Sequence, residues 1–66
     1  MRVQINGQWQ EFEKAPTVAE LLEVRNLPSK RVAIELNRQI LPRALHAETR
    51  LSDKDAVEIV TLVGGG

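Results

Sequence analysis

The chain opens on an alternation. Val3 and Ile5 are apolar while Arg2 and Gln4 are polar, the period-two pattern of a strand with one face buried. Asn6-Gly7 follows, the dipeptide that best tolerates the two positive φ angles of a type I′ turn. Such a turn predicts a hairpin pairing Ile5 with Gln8 and Met1 with Phe12. Val3, Ile5 and Phe12 then share one face, and Trp9 lies on the other with Gln4 and Glu11. A bulge in the turn would bring Trp9 to the edge of the core instead.

The period then changes. Thr17-Val18-Ala19-Glu20 fits a capping box, and Val18, Leu21 and Leu22 form an apolar stripe at helical spacing with Arg25 in phase. The predicted helix runs to about Asn26, because Pro28 disfavours helical geometry at Leu27. A helix this short must pack on a sheet to persist. Arg31 to Leu36 reads as a strand, with Val32, Ile34 and Leu36 alternating against Ala33 and Glu35. Asn37-Arg38-Gln39 reads as a turn, and Ile40-Leu41 as a short strand stopped by Pro42. Residues 43–50 are irregular, with one helical turn around Ala44-Leu45-His46, and Ser52 to Asp55 is a turn by its side-chain chemistry. The last strand spans Ala56 to Val63, with Val57 and Ile59 inward and Glu58, Val60 and Leu62 outward. The order predicts a mixed sheet with one face covered by one helix. The expected core is Val3, Ile5, Phe12, Leu21, Leu22, Ile34, Val57 and Ile59.

Composition narrows the function more than the fold. Sixty-six residues make one domain with a marginal core. There is no cysteine and one histidine, so no disulfide framework, cysteine-based zinc site or histidine cluster is available. Nine basic and nine acidic residues cancel, and Trp9 and Phe12 are too few for base stacking, which argues against nucleic acid as a partner. No apolar run approaches the roughly 20 residues of a membrane span, and the first residues lack the apolar core of a signal peptide, so a cytoplasmic location is expected. His46 has no thiol to activate and reads as an exposed loop residue. Asp53 and Asp55 lack the ligand count of a calcium loop. Neither a catalytic residue nor a metal site is expected.

The chemistry concentrates after the last strand. Val63 is followed by Gly64-Gly65-Gly66, three of the four glycines in the chain. Such runs are often flexible linkers or cloning scars. This one is pure glycine and starts where a strand signal stops. Three extended residues reach roughly 10 Å, enough to deliver a carboxylate into another protein's active site. Without Cβ atoms the run would pass a narrow channel. A terminal carboxylate is ionised at neutral pH and is a poor acyl electrophile until ATP converts it to an acyl-adenylate.

The whole pattern resembles the ubiquitin-like β-grasp sulfur carriers, the ThiS/MoaD family, and among them the thiamine-biosynthesis branch. The likeness rests on Val3-Gln4-Ile5-Asn6-Gly7, Thr17 to Leu22, Val32 to Asn37, Ile40-Leu41-Pro42-Arg43 and Asp55 to Val60, in that order before the glycines. It implies an α+β fold, a mixed four- to five-stranded β-grasp sheet packed on one main helix over residues 1–63, with a flexible tail at 64–66. It also implies that a ThiF-like adenylating enzyme uses ATP to activate Gly66, and that sulfur from a donor such as a cysteine desulfurase makes a thiocarboxylate. A ThiG-like thiazole synthase then accepts the sulfur. Gly64 and Gly65 would fit the enzyme's channel, and Val60, Leu62 and Trp9 would form the partner surface. The rival readings are a carrier for molybdopterin or tRNA thiolation, and a ubiquitin-like interaction module that needs no free carboxylate.

Overall fold

The computed structural model describes residues 1–62. The strand expected over Ala56 to Val63 and the tail assignment at 64–66 therefore lie partly or wholly outside the described residues. Among those residues, five strands form one sheet in the order β2-β1-β5-β3-β4. The strands are β1 (Arg2–Ile5), β2 (Gln8–Glu11), β3 (Val32–Leu36), β4 (Gln39–Leu41) and β5 (Ala56–Thr61). β1 and β5 pair in parallel, and the other neighbours are antiparallel. The helix α1 (Val18–Val24) sits between β2 and β3 in the chain.

The first hairpin forms in the register that the alternation predicts, from Arg2↔Glu11 to Ile5↔Gln8. Asn6 and Gly7 take φ angles of 50° and 84°. A Cβ at Gly7 would meet nothing within 4 Å, so glycine serves the backbone angle here and not close packing. The second hairpin is tighter than the expected three-residue turn. Asn37 and Arg38 alone make it, at φ 52° and 70°, and Gln39 already pairs with Leu36 as the first residue of β4.

The capping box closes as expected: Thr17 Oγ1 accepts from the Glu20 amide at 3.1 Å, and Glu20 Oε1 accepts from the Thr17 amide at 2.8 Å. The helix is shorter than the proline argument implies, seven residues. Asn26 stops it by entering the left-handed region at φ 57°, and the amides of Asn26 and Leu27 donate to Glu23 and Leu22. That is a Schellman ending, which satisfies the last carbonyls before Pro28 can act. A three-residue 3-10 turn, Ser29–Arg31, then leads into β3, so the strand begins at Val32 and not at Arg31.

Val18, Leu21 and Leu22 of α1 bury against Val3, Ile5, Val32, Ile34 and Val57 of the sheet. Burying each such side chain stabilises the fold by about 1.5–3 kcal/mol. Phe12 and Ile59 are half-buried at the edge of this core. Two residues correct the sequence reading. Leu51, which carried no periodic signal, is fully buried. His46, expected exposed, is only 2% exposed. The cause is the 3-10 turn Arg43–Leu45, after which the His46 carbonyl accepts the Ala19 amide at 3.0 Å and the residue is tucked beneath the start of α1.

Candidate functional site

The site is the end of β5 and the sheet face around it. β5 alternates because it is sandwiched between β1 and β3 with one face on the helix. Val57 points into the core, and Glu58, Val60 and Leu62 point to the opposite face. Val60 and Leu62 are 55% and 52% exposed, two aliphatic side chains side by side at one strand end. The strand is held there from one side by β3: Thr61 pairs with Val32, and the Leu62 amide donates to the Arg31 carbonyl at 2.8 Å.

Trp9 lies on the same outer face, but its row is that of Gln4 and Ala56. Val60 lies four positions further along β5. The Arg2 guanidinium stacks 4.2 Å from the indole centroid, a cation–π contact that covers part of the ring. Trp9 and the Val60–Leu62 pair are thus two patches on one face, with Gln4 and Glu58 between them.

Sequence reasoning missed the apolar neighbour that the fold does supply. Ile40 on β4, 69% exposed, sits opposite Glu35, which in turn faces Glu58. Ala33 sits directly opposite Val60. Reading Asn37-Arg38 as a two-residue turn would have placed Ile40 on this face. Glu35 and Glu58 put two carboxylates side by side across the strand pair, an unfavourable juxtaposition. Neither forms an ion pair among the described residues.

The remaining titratable residues do not assemble into a reactive group. His46 Nε2 lies 3.3 Å from the Leu41 carbonyl, and Nδ1 has no hydrogen-bond partner among the described residues. Asp53 accepts the Arg2 amide at 2.9 Å, and that bond holds its carboxyl below the ordinary carboxylate range. Asp55 is taken up by Ser52 and Asn37. Both aspartates therefore fasten the 52–55 turn to β1 and to the second hairpin. No group of three or more metal-ligating side chains occurs among the described residues. A cleft of about 440 Å³ opens between Phe12, Pro16, Leu21, Val24 and Arg50, on the helix side of the sheet and away from Val60. No helix among the described residues is long and apolar enough to cross a membrane. The residues expected to carry the chemistry, Gly64, Gly65 and Gly66, lie outside the described residues.

Comparison with known proteins gives this arrangement a context. The sequence profile of the ThiS family matches residues 3–66. The sulfur carrier protein ThiS of Bacillus subtilis is 37% identical over 65 residues, covering 97% of this chain and 98% of that protein. A thiazole synthase of Paramagnetospirillum magneticum is 38% identical over 66 residues, and this chain spans only 20% of its length. The crystal structure of a thiamine biosynthesis protein (ThiS) from Geobacter metallireducens superposes with a TM-score of 0.83 at 33% identity, each chain covered in full. The five-stranded mixed sheet and single main helix are the ThiS β-grasp fold.

Proposed function

The chain belongs to the ThiS family, and we propose that it is a sulfur carrier for thiazole formation in thiamine biosynthesis, with Gly66 as the acceptor. The Gly66 carboxylate attacks the α-phosphorus of ATP in the active site of a ThiF-like enzyme, and pyrophosphate leaves. A persulfide, formed through a donor such as a cysteine desulfurase, displaces AMP from the acyl-adenylate, and a second thiol then cleaves the resulting acyl disulfide, leaving the sulfur on Gly66 and a disulfide between the two thiols. The product is a thiocarboxylate, and a ThiG-like synthase takes its sulfur into the thiazole ring. ATP is a co-substrate of the partner, so the carrier itself needs no bound cofactor. The reading places these steps in the cytoplasm.

The observation that carries the reading is the family match, which runs through the glycines to residue 66. The thiazole synthase relatives favour the thiamine branch. In them a segment similar to this chain is part of a longer protein named for the acceptor enzyme. Joining two partners in one chain raises their effective concentration to the millimolar range, an arrangement suited to a carrier and the enzyme it serves. The exposed end of β5 and the glycines in the sequence support a division of labour. The exposed Val60–Leu62 pair, with Trp9 as a second contact, docks the body, and the glycines deliver the carboxylate without side-chain bulk.

The test is transfer of label. The carrier is loaded with isotopically labelled sulfur and then incubated with a ThiG-like synthase and its substrates, or with a molybdopterin synthase subunit. Label in the thiazole supports the thiamine assignment. Label only in the dithiolene product would move the chain to the molybdopterin branch.

A further inference from the structure

β1 ends before β5 does, and leaves the rest of β5 without a strand partner on that edge. The parallel pairing covers Gln4↔Ala56 and Ile5↔Val57, with the Asn6 amide on the Val57 carbonyl at 2.9 Å. The chain then turns away at Asn6-Gly7 into β2. On that edge the next peptide groups of β5 belong to Ile59. The Asn6 carboxamide takes both of them: Oδ1 accepts the Ile59 amide at 2.7 Å, and Nδ2 donates to the Ile59 carbonyl at 3.3 Å. A carboxamide carries the same donor and acceptor as a peptide unit. Asn6 thereby stands in for the missing next residue of β1.

We propose that Asn6 is a positioning residue for the carrier reaction, a latch that closes the free edge of β5 just before the strand presents Val60 and Leu62 and leads to residue 63. The role rests on the sulfur-carrier reading given above. Both peptide groups of Ile59 face Asn6, while its neighbours Glu58 and Val60 lie opposite Glu35 and Ala33 of β3, so the strand is held from both edges at this point. Asparagine meets both demands of the position. It tolerates the φ of 50° that the turn imposes, and its amide supplies the donor that aspartate lacks. Loosening β5 here lets Val60 and Leu62 take up more positions on the outer face. The enzyme must then select among them, a cost that weakens productive binding and leaves the chemical step untouched.

The second hairpin supplies a matched control. Asn37 has nearly the same φ, 52°, and its carboxamide bonds the opposite end of β5, accepting the Ala56 amide at 2.9 Å and donating to Asp55 at 3.0 Å. The test uses the full chain as substrate for a ThiF-like enzyme with ATP, reading AMP release and thiocarboxylate. Asn6→Gly and Asn37→Gly both keep the turns and should lose comparable melting temperature. Asn6→Gly should raise the KM for the carrier about three- to tenfold with kcat unchanged. It should also speed hydrogen exchange at the Ile59 amide. Asn37→Gly should leave KM at the wild-type value. An unchanged KM in Asn6→Gly, or an equal rise in Asn37→Gly, overturns the positioning role. A wild-type chain that the enzyme does not activate overturns the carrier reading and the role with it. Faster Ile59 exchange in Asn6→Gly would then show the latch to be structural only.

Discussion

Leu51→Ala tests how the irregular segment between β4 and β5 is joined to the core. Leu51 is 2% exposed, its amide donates to the Pro16 carbonyl at 2.9 Å, and the neighbouring Arg50 bridges to Thr17. The segment is therefore pinned beneath the first turn of α1. Truncating a fully buried leucine costs about 2–5 kcal/mol, through lost transfer energy and the cavity left behind. A 66-residue chain holds roughly 3–10 kcal/mol in all. For a domain of this size each 1 kcal/mol lowers Tm by about 4–8 °C, so a loss of about 3 kcal/mol lowers it by roughly 12–24 °C. Circular dichroism melts of wild type and Leu51→Ala measure the shift. Leu45→Ala is the internal control, since Leu45 lies six residues earlier and is 42% exposed; it should move Tm by less than about 5 °C. A Leu51→Ala chain that melts within about 3 °C of wild type would refute the reasoning, because the segment would then contribute little to the cooperative unit.

Three further outcomes follow from the structure. The Asp53 carboxyl is lowered by the Arg2 amide, so its contribution is fully present above its ordinary value of 3.8 and is lost as pH falls through the lowered one. Asp53→Asn should therefore melt below wild type at neutral pH, and the gap should close in acid; a gap that widens in acid contradicts the assignment. Val60→Asp and Leu62→Asp, both on exposed positions, should fold normally and raise the activating enzyme's KM for the carrier about tenfold or more, as loss of an interface anchor would; unchanged kinetics in both would put recognition on another face. Gly65→Ala should leave the melt unchanged and slow activation, Gly64→Ala should matter less, and normal thiocarboxylate formation by Gly65→Val would refute the narrow-channel argument.

Much of the body was legible because it follows local rules. The first hairpin is written in Asn6-Gly7 and the alternation before it, and α1 in its capping box and three-residue stripe. The exposure of Val60, Leu62 and Trp9 followed from strand parity alone. What escaped was decided by tertiary contacts. Leu51 and His46 lie in a segment without a period, and only its docking under α1 buries them. Helix length turned on Asn26 adopting a left-handed conformation, which propensity does not reveal. Ile40 joined the outer face because the second turn used two residues instead of three. The Asn6 clamp was invisible because it joins residues 53 positions apart, across a parallel pairing that no local pattern encodes.

The most direct measurement is the intact mass of the chain after incubation with ATP, a sulfur donor and a ThiF-like activating enzyme, followed by fragmentation. The account predicts one oxygen exchanged for one sulfur, dependent on ATP, with the change confined to Gly66. Sulfur located at any other residue, or a Gly66 left unmodified by an activating enzyme that converts another sulfur carrier under the same conditions, would contradict it.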